Sequence, residues 1–127
     1  MPSARRPCDE IMEINEYQRL ALTTLNPALT EKDVLINGVM GLCGEAGEAI
    51  DLVKKHLAQG HPLDREQLAL ELGDVAWYLA ETAHAIGYSL EDVLRMNVEK
   101  LKARYPEGFQ SRRSLNRTEG ENAWPKK

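Results

Sequence analysis

Between Glu45 and Asp74 one short pattern occurs twice. Glu45-Ala46-Gly47-Glu48-Ala49 is followed by Glu71-Leu72-Gly73-Asp74-Val75: acid, small or apolar, glycine, acid, apolar. On an α-helix, residues three apart share a face, so each copy sets two carboxylates side by side. Unneutralised like charges at that spacing cost a helix roughly 0.2–0.5 kcal/mol. A fold that draws four of them together calls for a cation between them. The pattern therefore asks for two helices, packed so that their acidic edges meet. Glu45, Glu48, Glu71 and Asp74 read as the two halves of a divalent-metal site. Carboxylate oxygens without His or Cys suit hard cations, so Mg²⁺, with Mn²⁺ as a substitute, is expected rather than zinc.

The rest of the chain reads as helices around that pair. Ile11, Ile14, Leu20, Ala21 and Leu25 recur at helical spacing, which predicts a first helix from about Asp9 to Leu25 that Asn26-Pro27 ends. Tyr17 and Gln18 ride on it, Tyr17 at the core edge and Gln18 at the surface, unless they meet a ligand. Thr30 is an N-cap for a second helix reaching His56 or Leu57, with a stripe of Val39, Leu42, Ala46, Ala49, Val53 and Leu57. Gly41, Gly44 and Gly47 weaken that helix and point to close helix packing. After the turn Gly60-His61-Pro62, Asp64 caps a third helix, with Gln67 in the capping-box position, running to about Ile86 on Leu68, Leu72, Val75, Leu79, Ala83 and Ile86. At ~100° per residue, Glu45 and Glu48 lie at the same offset from their stripe as Glu71 and Asp74 from theirs. Gly87 ends the third helix and Ser89 caps a fourth, Leu90 to Tyr105, with Leu90, Leu94, Val98, Leu101 and Tyr105 inward. Beside that stripe, Asn97, Lys100 and Arg104 put one amide and two cations on one face. It is either a solvated basic edge or, near a carboxylate–metal site, a place for phosphates.

Length and balance narrow the class. The chain's 127 residues suit one domain, expected over residues 1–109 and followed by a polar tail, 110–127, in which Arg112, Arg113 and Arg117 are solvated. With 43% hydrophobic and 28% charged residues the composition is that of a globular protein, rich in Ala, Leu, Glu and Lys, hence helical. The expected fold is all-α: a four-to-five-helix bundle of antiparallel helices completed by oligomerisation. A net charge of −4 argues against binding a nucleic-acid polymer, which needs a basic footprint. No segment reaches membrane-spanning length and the first residues lack an apolar leader core, so a cytoplasmic setting is expected. Cys8 and Cys43 lack metal or disulfide spacing; Cys43 reads as a small buried residue, Cys8 as a free thiol in a frayed lead-in. A di-iron bundle needs two Glu-x-x-His motifs, and the chain offers one, Glu81-Thr82-Ala83-His84. His56 and His61 border a turn and are expected in solvent.

Three runs in order carry a family resemblance: Gly41 to Glu48, Glu71 to Leu79, and Asn97 to Phe109. Together they resemble the MazG-like nucleotide pyrophosphohydrolases of the all-α NTP pyrophosphatase superfamily, over about residues 12–109. The resemblance implies a helical protomer that oligomerises, as a homodimer or homotetramer, and hydrolyses a nucleoside triphosphate to monophosphate and pyrophosphate with Mg²⁺. It makes Glu45, Glu48, Glu71 and Asp74 the metal ligands and Asn97, Lys100 and Arg104 the ligand-binding positions. Lys55 and Trp77 join the candidate substrate contacts; Trp77 or Tyr78 either stacks on a base or packs between subunits. One carboxylate, Glu48 or Glu45, is expected to orient or deprotonate the attacking water. Many relatives carry two adjacent acids at the start of the first motif; here Gly44 fills the earlier place. The alternatives are a dUTPase-like or dCTPase-like specificity, or a non-catalytic nucleotide-binding helical module.

Overall fold

In a computed structural model, residues 11–116 are described; the lead-in through Asp9 with Cys8, and Arg117 of the tail, lie outside them. The described chain is all-α: α1 (Ile14–Leu22), α2 (Glu31–Gln59), α3 (Arg65–Ala85), α4 (Leu90–Arg104) and a short α5 (Ser111–Leu115). α5 falls in the stretch expected to lack periodic structure. Two compact units divide the chain, one through Leu90 and one from Glu91.

Local chemistry places the ends of α2 and α3. Thr30 Oγ1 accepts the Asp33 amide at 3.2 Å and Asp64 accepts the Gln67 amide at 2.9 Å, each satisfying an orphan donor of a first turn. Gln67 does not return the favour as a capping box requires; its Nε2 donates to Glu71 instead, at 3.0 Å. Gly60, at φ +72°, closes α2 in the left-handed conformation that other residues adopt only with strain. α1 is shorter than its periodicity predicts. Thr23 and Thr24 donate their hydroxyls to the carbonyls of Leu20 and Ala21, at 2.6 and 2.7 Å, and end the helix ahead of Asn26-Pro27.

Within the first unit α2 and α3 form the main pair, and α1 packs on α3. The closest approaches run through glycine and polar residues. Gly38 faces Thr82, Gly41 faces the Tyr78 ring, Asn37 meets Glu81, and Glu45 meets Asp74. From Gly38 to Gly41 to Glu45 along α2 the partners fall back from Thr82 to Tyr78 to Asp74 along α3, so the pair is antiparallel along a seam of glycine and polar residues. A Cβ at Gly41 would overlap the Tyr78 ring, and one at Gly38 the Thr82 hydroxyl, so these two glycines set the closeness of the helices. Gly44 and Gly47 have open space around them.

This seam corrects several sequence expectations. Val39, Leu57, Leu72, Leu79 and Ile86, expected inward, are exposed at 46, 77, 57, 37 and 54%. Leu94, Val98 and Leu101 of α4 are exposed as well. Cys43 is exposed rather than buried, because it lies on the side of α2 away from Gly41 and Glu45. Gln18 is buried rather than at the surface. Its Nε2 donates to the Ala80 carbonyl at 3.0 Å and its Oε1 accepts the Leu90 amide at 2.9 Å, tying α1 to α3 and to the first residue of α4. The buried apolar residues among those described are Ala21, Val34, Ala80, Ala83 and Leu90.

Candidate metal centre

The seam that carries the glycines runs on into the acids. One turn beyond Gly41, Glu45 projects from α2 toward Glu71 and Asp74 of α3, and one carboxylate oxygen from each lies within 4.8 Å of the others. Glu45 and Glu71 are half-buried and Asp74 is exposed. Burial pushes the Glu45 carboxyl above its ordinary 4.5, helped by a hydrogen bond shared with Glu71 and by the charges of Asp74, Glu71 and Glu48. A shared proton is one way of relieving repulsion between such carboxyl groups; a cation is another. Such a trio, all oxygen and without His or Cys, could hold a hard divalent cation.

Glu48 stands outside the trio. It is exposed, on the next turn of α2, and its charge is felt by both Glu45 and Lys55. Lys55 is engaged with Asp51 at 2.8 Å, and that carboxylate also holds Lys54 at 3.1 Å. The hydrogen bond and charge of Asp51 raise the Lys55 ammonium above its ordinary 10.5, while the two lysines hold the Asp51 carboxyl below 3.8.

An open cavity of about 330 Å³ adjoins the acids, lined by Glu45, Asp74, Trp77 and Tyr78. The two rings meet edge to face, with centroids 5.0 Å apart. Trp77 is fixed from behind: its indole N–H donates to the Ala21 carbonyl at 3.0 Å and to Thr24 Oγ1 at 2.9 Å. Tyr17 reaches this region from α1, where burial and then the Asp74 charge raise its phenol above 10.0.

The structure thus brings together Glu45, Glu71, Asp74 and Trp77 of the candidate residues, with Glu48 alongside. Asn97, Lys100 and Arg104 belong to the second unit, at steps of three and four on α4, Asn97 exposed and the two cations half-buried. His84 is exposed and Glu81 fully buried, so the lone Glu-x-x-His motif presents no metal face. Sequence reasoning missed Gln67, which steadies Glu71; its i, i+4 spacing to Glu71 was the available signal. Tyr17, singled out in the sequence at the core edge or against a ligand, lies near enough to Asp74 to feel its charge.

The family model described as MazG nucleotide pyrophosphohydrolase domain matches residues 37–109, a span that holds every carboxylate of the centre and the whole α2–α3 seam. The Gene 37 protein of Mycobacterium phage L5 is 41% identical over 106 residues, covering 76% of this chain and 92% of that protein. No solved structure matches.

Proposed function

This chain belongs to the MazG nucleotide pyrophosphohydrolase domain family, and from that membership we propose that it hydrolyses a nucleoside triphosphate to the monophosphate and pyrophosphate, with Mg²⁺. The observation that carries this reading is the carboxylate trio from two helices, within 4.8 Å, beside a cavity with an aromatic wall.

Glu45, Glu71 and Asp74 would hold the ion, and Gln67 keeps Glu71 in place. Bound there, Mg²⁺ supplies neutralisation of the triphosphate charge and a water of lowered pKa. Glu48 is the proposed acceptor of the water's proton: it is close enough to act on Glu45 electrostatically yet is not one of the trio. Trp77 and Tyr78 offer ring faces to a base. Asn97, Lys100 and Arg104 are proposed to hold phosphate oxygens; Lys55 would have to exchange Asp51 to join them. The sanitising of nucleotide pools by a cytoplasmic homodimer or homotetramer completes the proposal.

The test is a panel of NTPs and dNTPs, dUTP and dCTP included, assayed for pyrophosphate with Mg²⁺. Activity on at least one substrate, lost in Glu71→Gln and in Glu48→Gln while circular dichroism stays helical, is the expected result. Full activity in both variants would overturn the assignment of the site. Binding of nucleotide and Mg²⁺ with no pyrophosphate from any substrate would favour the non-catalytic module.

A further inference from the structure

Two turns along the seam from Glu45, about 12 Å away at 1.5 Å per residue, sits a second carboxyl group that the proposed chemistry does not use. Glu81 is fully buried, the largest side chain in the described residues to be so. It is held by the Asn37 amide, whose Nδ2 donates to Oε1 at 2.9 Å and to Oε2 at 3.1 Å. Burying a carboxyl group is costly unless it is hydrogen-bonded, and a sliding or rotation of α2 on α3 would take this donor away. The glycines of the seam select against neighbouring registers by exclusion, since a one-turn slide would set a side chain against Tyr78 or Thr82; the Asn37–Glu81 hydrogen bonds add a directional attraction that only this register satisfies.

We propose that Asn37 and Glu81 are positioning residues that set the register of α2 on α3, and thereby bring Glu45 onto Glu71 and Asp74. The pair is polar and directional: Asn37, itself at the exposed edge of α2, supplies the amide donor to a carboxyl group that is fully buried, and a polar contact of fixed geometry can specify register between packed helices. Gly38 against Thr82 and Gly41 against Tyr78 follow in step, and Glu45 against Asp74 is the next match along the line. A shift by one turn would leave Glu81 buried without this donor and separate the trio. The proposal rests on the reading of that trio as a cation site for its effect on metal, but not for its effect on register.

The test uses the full chain and Mn²⁺ alone as the probe. Asn37→Asp replaces the donor with a second acceptor; adding Glu81→Gln puts the donor on the other helix and reverses the polarity of the pair. Asn37→Asp should weaken Mn²⁺ binding about tenfold, the lower end of what losing a supporting contact costs a metal site, at a temperature where it remains helical. The double variant should recover wild-type affinity. Register is read separately, from the distance between spin labels at Ile50 and Leu70, both exposed, with the native cysteines replaced and the labelled chain diluted in unlabelled protein. Asn37→Asp should shift that distance and the double variant restore it. A folded Asn37→Asp with unchanged label distance overturns the proposal, as does a double variant that fails to restore it. If wild type binds no Mn²⁺ while the label distances behave as stated, the register assignment stands and the metal reading fails. Should Asn37→Asp not fold, Asn37→Ser, which keeps one short donor, takes its place in the label measurement: a shifted distance supports the register role and an unchanged one overturns it.

Discussion

Gly41 and Gly44 look equivalent in the sequence, three residues apart in one glycine-rich run, yet the structure gives them opposite roles. A methyl group at 41 meets the Tyr78 ring, while one at 44 meets nothing. Gly41→Ala should therefore destabilise the protein by about 1–3 kcal/mol, the range for overpacking. Gly44→Ala should stabilise it by up to about 1 kcal/mol through helix propensity. Urea unfolding of the two variants decides both. Glu45 gives the residue scale its pH dependence. Because burial and neighbouring carboxylates raise its carboxyl above 4.5, the folded chain holds this proton more tightly than the unfolded chain does. Stability then falls as pH rises through the window just above 4.5, since the native state must release a proton the unfolded state has already lost. Asp51, held below 3.8 by Lys55 and Lys54, acts in the opposite sense at lower pH. Thermal melts in metal-free buffer should show the Glu45 decline, and Glu45→Gln should abolish it.

At the scale of the element, what the sequence discloses depends on how local the cause is. The caps Thr30 and Asp64 and the terminators Gly60 and Gly87 are legible because each acts within a turn of its own position. So are the number and order of the main helices and the spacing of the carboxylates along each. The face on which the helices meet is not. On α2 a leucine-type stripe through Val39, Leu42 and Ala46 and a glycine–polar line through Gly38, Gly41 and Glu45 both satisfy helical periodicity. The line of larger apolar area dominates the sequence pattern, while the line of closest backbone approach forms the contact. The burial of Gln18 is hidden for a related reason: its two partners, the Ala80 carbonyl and the Leu90 amide, are distant in sequence. Two predictions belong here. Asp64→Ala should cost about 1 kcal/mol, the ordinary cost of an N-cap, in chemical denaturation. Gln18→Ala should cost more, about 2–4 kcal/mol, because it strands a buried donor and a buried acceptor at once.

For the whole molecule the question is what the displaced apolar side chains do. Along the outside of α2, Ile36, Met40, Cys43, Gly47, Ile50 and Leu57 recur at alternating steps of four and three, with Lys54 completing the line, and all are exposed. That is the spacing of a helix-packing seam, and α2 already uses its other side against α3. The buried apolar residues among those described are three alanines, one valine and one leucine, a thin core for a chain of this length. A second copy laid on the outer face of α2 would bury the larger apolar side chains and use the space beside Gly47, where an added Cβ would meet nothing from elsewhere among the described residues within 4 Å. Light scattering after size exclusion should accordingly show a dimer or larger species at micromolar concentration. Met40→Glu and Ile50→Glu should lower the mass toward the monomer and the melting temperature with it. Cys43, in the middle of this face, supplies an independent readout. In the associated protein its thiol should react slowly with a maleimide, and Met40→Glu should speed the reaction toward that of an exposed cysteine. A wild-type protein that is monomeric and labels at the rate of an exposed thiol would show that this face stays open to water, and would leave the outer seam of α2 without a partner of its own kind.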